Sequence, residues 1–135
     1  MINTVEILKK VYERLEQSSE LAAFVEGRIY NWSIQDDLYP FVRASIANMT
    51  DFDDKTTLGF DVMISVDVWS RYKGDGEVLQ ITDIIKNLFH RNEFSEMSFQ
   101  NVNMVYDNAS SFIEPDRETT HTNINFRSYF IEQEC

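Results

Sequence analysis

Residues 58–69, Leu-Gly-Phe-Asp-Val-Met-Ile-Ser-Val-Asp-Val-Trp, put an apolar side chain at every second position from Leu58 to Val68. Gly59, Asp61, Ser65 and Asp67 take the positions between them. A ribbon with a side-chain period of two can bury the first set and leave the second polar. The segment then passes through a loop at 71–76, with glycines at 74 and 76, into a helix-period stretch ending at Phe89. This run commits the chain to a sheet with one dry face and a helix available to cover it.

The flanking segments supply the other elements. Residues 3–17 read as a helix, with Asn3 and Glu6 spaced as a capping box. Val5, Leu8, Tyr12 and Leu15 mark its face, with Ile7 and Val11 beside them. Residues 20–25 add a short helical turn capped by Ser19 and ended by Gly27, and Arg28-Ile29-Tyr30 is extended. A polar loop closes at Pro40 and opens a strand over 41–48, with Val42, Ala44 and Ile46 on one side. Asp51-Phe52-Asp53-Asp54 makes the next turn. Asp75 caps a second main helix over 77–90, in which Val78, Ile81, Ile85 and Leu88 keep the 3.6 period and Ile84 lies adjacent. Two strands follow. In 98–106, Val102, Met104 and Tyr106 share a side; in 119–131, Ile124, Phe126 and Phe130 alternate against Asn123, Asn125 and Arg127, and Pro115-Asp116 turns between the two. The expectation is a single α+β domain over residues 1–135: a mostly antiparallel sheet of about four to five strands with two helices packed on one face.

Composition narrows the function. The net charge is −11, from 23 acidic and 12 basic side chains. Affinity for nucleic acid comes from Lys and Arg displacing counterions, so direct binding to DNA or RNA is not expected as the main activity. The same charge disfavours anionic membrane surfaces, and no window approaches the roughly 18 apolar residues of a membrane span. Cys135 is the one cysteine, which rules out an intramolecular disulfide. The first residues, Met-Ile-Asn-Thr-Val-Glu, lack the pattern of a secretory signal. The expectation is a soluble intracellular product, or one assembled inside a cell.

No constellation asks for catalysis, a metal or a cofactor. His90 and His121 lie far apart in sequence with no ligand or acid–base partner at useful spacing, and His90 suits the C-terminal end of a helix dipole. Asp51, Asp53 and Asp54 lack the glycine and the bidentate glutamate of a calcium loop, so at most a weak cation site is expected there. Lys73-Gly74-Asp75-Gly76 is neither a P-loop nor a dinucleotide fingerprint, and Asp75 would repel a phosphate. There is no G-x-S-x-G elbow. Trp32, Tyr39, Trp69 and Tyr72 stand in or beside turns and on the polar side of strands, where aromatics serve either as contact anchors or as a partly buried sheet rim.

Four pieces, in order, resemble a known family. They are Gly27-Arg28-Ile29-Tyr30 after the first helix, Tyr39-Pro40-Phe41-Val42 opening a strand, Val66-Asp67-Val68-Trp69-Ser70-Arg71-Tyr72 leading through Gly74 into the second helix, and Ile124-Asn125-Phe126-Arg127 in the last strand. Together they are similar to the tail-completion proteins of long-tailed phages and prophages, relatives of the tail terminator or tail-to-head joining proteins.

The resemblance implies a non-enzymatic virion protein with no cofactor, located in the tail and assembled in the host cytoplasm. It implies a homo-oligomeric, hexameric ring at the head-proximal end of the tail tube. The ring would end tail polymerisation, offer a surface to the head connector and let DNA pass through its lumen without specific binding. Its partners would then be further copies of itself, the tail tube protein and the head connector protein. Loops 32–39, 51–57 and 71–75 are the expected contact regions, with Trp32, Tyr39, Phe52, Trp69 and Tyr72 as interface residues. Two other readings remain: a head-tail connector or neck protein, and a small cellular α+β domain for ligand binding or dimerisation.

Overall fold

The computed structural model describes residues 4–30, 38–51, 53, 58–93 and 99–132. In chain order the elements are α1 (Thr4–Gln17), α2 (Ser19–Val25), β1 (Ile29–Tyr30), β2 (Phe41–Asp51), β3 (Gly59–Ser70), α3 (Gly76–Phe89), β4 (Phe99–Ile113) and β5 (Thr120–Glu132). The strands form one five-stranded sheet in the order β1-β2-β3-β5-β4.

The alternation of 58–69 builds the centre of that sheet. Val62, Ile64, Val66 and Val68 of β3 are buried, beside Val42 and Ala44 of β2 and Ile124, Phe126 and Phe130 of β5. The helices cover this face with Ile7, Val11 and Leu15 from α1, Leu21 and Val25 from α2, and Val78, Ile81, Ile85 and Phe89 from α3, all in one continuous cluster. Thr122 and Ser128 are buried polar residues at inward positions of β5; Thr122 Oγ1 pairs with Ser111 Oγ at 2.7 Å, and the Ser128 hydroxyl donates to Val62 O at 2.8 Å. Those bonds satisfy groups that would otherwise be stranded in the core.

The α+β class holds, with two corrections. The sheet is mixed and not mostly antiparallel, because β1 runs parallel to β2 (Ile29 opposite Val42, Tyr30 opposite Arg43). The described residues form three helices and not two, since 19–25 forms a helix of its own. Its cap is Ser18, whose Oγ accepts the Leu21 N–H at 3.1 Å, and not Ser19. Glu26 and Gly27, both at positive φ, end α2 and turn the chain into β1.

Smaller differences have clear causes. The buried stripe of α1 is Ile7, Val11 and Leu15, so Val5 is swung out to 70% exposure, while Leu8 and Tyr12 flank the core. Asn3 of the expected capping box lies outside the described residues. Leu58 precedes β3 and is exposed. Asp75 occupies the N-cap position of α3 without a side-chain bond to the helix. In β4 the register slips between Asn101 and Asn103 and again between Tyr106 and Asn108. Each bulge inserts a residue and shifts the side-chain phase. Met104 is therefore buried while Val102, expected on the same side, is exposed. Among the described residues no helix is long and apolar enough to cross a membrane.

Candidate assembly surface

The helix-free face of the sheet carries a row of rings. Phe41, Trp69, His121 and Phe112 stand directly opposite one another across β2, β3, β5 and β4. Phe41 stacks on Trp69 at 4.9 Å between centroids, Trp69 on His121 at 4.3 Å, and Phe112 leans on His121 at 4.6 Å. Tyr39 extends the row beyond Phe41 at 5.0 Å, and the Arg71 guanidinium lies 4.3 Å above the Tyr39 ring. Cross-strand rings at this spacing stabilise a sheet beyond the area they bury.

His121 is held by two carboxylates. Its Nε2 lies 2.8 Å from Asp67 Oδ1 and its Nδ1 2.9 Å from Glu114 Oε1. Asp67 also accepts Asn123 Nδ2 at 2.9 Å. The chain of bonds continues from Asn125 to Asn123 at 2.7 Å, from Asn125 to Asn108 at 3.0 Å and from Ser65 to Asn125 at 2.6 Å. The polar half of this face is thus bonded to itself. Arg43, opposite Asp67 in register, differs: its Nε is buried without a hydrogen-bond partner among the described residues.

At the end of this row a cleft of about 590 Å³ opens between the β3–α3 loop and the β4–β5 turn. Arg71, Lys73 and Arg117 bring positive charge to it, next to Tyr72, Ile113 and Glu118. The turn is built around Asp116. Its carboxylate accepts Thr119 Oγ1 at 2.6 Å and the N–H groups of Glu118 and Thr119 at 2.9 Å each, with Arg71 at 3.4 Å. These donors, the Thr119 hydroxyl foremost, pull the Asp116 carboxyl from 3.8 down to about 2.

Among the described residues, the outer edges of β2 and β4 are guarded over only part of their length. On β2, Val42 N–H donates to Arg28 O at 3.0 Å. The Tyr12 hydroxyl then accepts Ala44 N–H at 3.0 Å and lies 2.5 Å from Ala44 O and 2.8 Å from Tyr30 O. On β4, Arg91 N–H donates to Met104 O at 2.7 Å, and Tyr106 N–H donates to His90 Nδ1 at 3.0 Å. Beyond these guards, the outer edges of residues 46–51 and 107–113 meet no hydrogen-bonding neighbour among the described residues.

Of the expected contact residues, the structure gathers Tyr39, Trp69 and Tyr72 at one end of the molecule. Trp69 lies inside the aromatic row, Tyr39 at its rim and exposed Tyr72 in the cleft. Trp32 and Phe52 lie outside the described residues. At the acidic turn, Asp53 accepts Gly59 N–H at 2.9 Å and Asp54 lies outside the described residues. Sequence reasoning missed Phe41, Phe112 and His121 as one row, because only the pairing register brings them together. It also missed Tyr12 and His90 as edge guards. Their positions on helices carried no sign of the strand that each would reach.

The fold is shared with a chain in the virion of a native gene transfer agent (GTA) particle, at a TM-score of 0.81 and 18% identity, over 90% of this chain and 91% of that one. No curated protein sequence matches. The model of the tail completion protein gp17 family matches residues 9–130, from the middle of α1 to the end of β5. By that match over nearly its whole length, the chain belongs to the tail completion protein gp17 family.

Proposed function

We propose that this protein closes the head-proximal end of a phage-type tail as a homo-oligomeric, hexameric ring. Family membership over residues 9–130 carries the reading and makes the chain a structural component of such a tail. The ring would occupy the growing surface of the tail tube, end its polymerisation and present a different surface to the head connector. Its mechanism is binding energy and geometry, with no bond made or broken in a substrate.

Two physical features support the ring. A ring needs a head-to-tail interface made of two different patches on one chain, and this sheet has two edges of different sequence that are open among the described residues. The acidic excess of 23 side chains over 12 suits a lumen that DNA must traverse without adhering. We expect Asp and Glu to line that lumen, and Tyr39, Trp69 and Tyr72 to stand in contacts with neighbouring proteins.

The test is solution mass by light scattering over a wide range of protein and salt concentration, followed by addition to purified tail tubes. Screening shortens the reach of like-charge repulsion from roughly 10 Å at 0.1 M salt to about 3 Å at 1 M. The mass is therefore expected to rise towards six subunits with salt, and tubes capped by the protein are expected to stop growing. A mass fixed at one or two subunits, with tubes that elongate unhindered, would overturn the reading in favour of a small binding domain.

A further inference from the structure

We infer that neighbouring copies join edge to edge, the open half of β2 in one copy pairing antiparallel with the open half of β4 in the next. The inference rests on the ring reading above and names its joint.

The two edges have the properties such a joint needs. Antiparallel strands turn alternate residues towards alternate neighbours. On β2 the bond from Val42 N–H to Arg28 O fixes that phase. With the slip between Ile46 and Asn48, it turns the backbone groups of Ile46, Met49 and Asp51 outward. On β4 the bonds at Met104 O and Tyr106 N–H fix the phase. With the slip after Tyr106, it turns Ala109, Ser111 and Ile113 outward. Each edge thus offers a short row of donors and acceptors with no partner among the described residues. Unpaired rows of this kind template a further strand unless charge, proline or a bulge protects them. Residues 108–113, Asn-Ala-Ser-Ser-Phe-Ile, contain neither a charge nor a proline and follow the second bulge of β4, while the open half of β2 keeps its bulge at one end and its single charge, Asp51, at the other.

The occupant is a second copy because the two edges fit each other. The β2–β3, β3–β5 and β5–β4 pairings are all antiparallel, so β2 and β4 of one sheet run in opposite directions. Placed side by side by rotation about a ring axis, β2 of one copy meets β4 of the next as an antiparallel pair. Full overlap of the open halves sets Ile46 opposite Ile113, Met49 opposite Ser111 and Asp51 opposite Ala109. All six side chains lie on the helix-covered side of their own sheets, as continuity of the pleat requires. Ile113 and Met49, exposed at 68% and 44%, gain cover, and no like charges face each other. The guards set the offset. β1 and Tyr12 block the start of β2, while His90 and Arg91 block the middle of β4. Only a staggered neighbour can therefore bring the free halves together, and a sheet that closes on itself requires a stagger. A strand from a different protein would explain one open edge but not a matched pair.

Proline tests this without disturbing the fold, because an outward edge N–H makes no bond within the sheet. Ser111→Pro and Met49→Pro each remove one outward donor. Both variants are expected to keep the wild-type circular dichroism, the Ser111→Pro midpoint falling no further than that of Ser111→Ala, which also loses the bond between Ser111 Oγ and Thr122 Oγ1, but to stay monomeric where the wild type assembles. Ser111→Ala is expected to assemble normally. Each proline variant keeps one good edge, so an equimolar mixture of the two is expected to form a dimer and nothing larger. A second measurement covers a variant that folds poorly: Met49→Cys with Ser111→Cys, in a chain carrying Cys135→Ser, is expected to give an oxidised ladder up to the hexamer. Rings from the proline variants equal to wild type, with no cysteine ladder, would overturn the joint and leave the ring reading standing. A wild type that stays monomeric both alone and on tail tubes would bring down the ring reading, and the joint with it.

Discussion

Arg71 shows how a single side chain can knit distant segments together. Its guanidinium covers Tyr39, donates to Thr119 Oγ1 at 3.1 Å and reaches Asp116, tying the start of β2 to the β4–β5 turn. Asp116 gives this corner a pH signature. Its carboxyl sits at about 2 in the folded chain against an ordinary 3.8, so the unfolded chain takes up the proton first as pH falls. Its contribution to stability is complete above about 4 and is lost progressively as pH falls towards about 2. Asp116→Asn is expected to flatten the acid limb of stability over that window, as read by urea unfolding at successive pH values. His121→Ala tests the centre of the aromatic row. Losing both carboxylate bonds and the Trp69 stack is expected to cost about 1–3 kcal/mol in urea unfolding. Little of this was legible beforehand. The aromatic types and turn positions flagged Tyr39, Trp69 and Tyr72, but residues far apart in sequence become neighbours only through register.

The elements themselves were far more legible. β3, β5, α1 and α3 announce themselves because each has one strong period and one environment per face, and their ends fall close to where the sequence puts them. β4 was readable only as far as Tyr106, because two bulges reset its alternation and its second half buries almost nothing. β1 was visible as an extended piece, but its parallel pairing was not, since two residues carry no directional signal. The guarded and open halves of β2 and β4 make a prediction at this scale. In the monomer, the amides of Ala44 and Tyr106 are expected to exchange slowly with solvent hydrogen, and those of Met49, Ala109, Ser111 and Ile113 quickly. Tyr12→Phe removes the hydroxyl that bonds Ala44 and leaves both of its outward groups unpaired. It is expected to cost about 1–2 kcal/mol and to speed exchange at Ala44 selectively, as measured by amide exchange.

At the scale of the whole molecule, the three helices of the described residues lie on one side of the sheet, and the described residues of the other side form a polar mesh with a row of rings. The charge excess acts at this scale too. It opposes every contact between copies at low ionic strength, so the assembled fraction at a given protein concentration is expected to grow with salt and to fall on dilution. The pairing of β3 with β5, unbroken from Gly59–Ile131 to Ser70–Thr120, has a mechanical meaning as well. A load parallel to the strands strains every rung of that ladder together, whereas a load across them opens the rungs one after another. The molecule is therefore stiff along its strands and weak across them, and a pull applied sideways will peel the short β1 and the poorly packed end of β4 first. A conduit wall made of such units would bear tension along the strand direction and tear between strands.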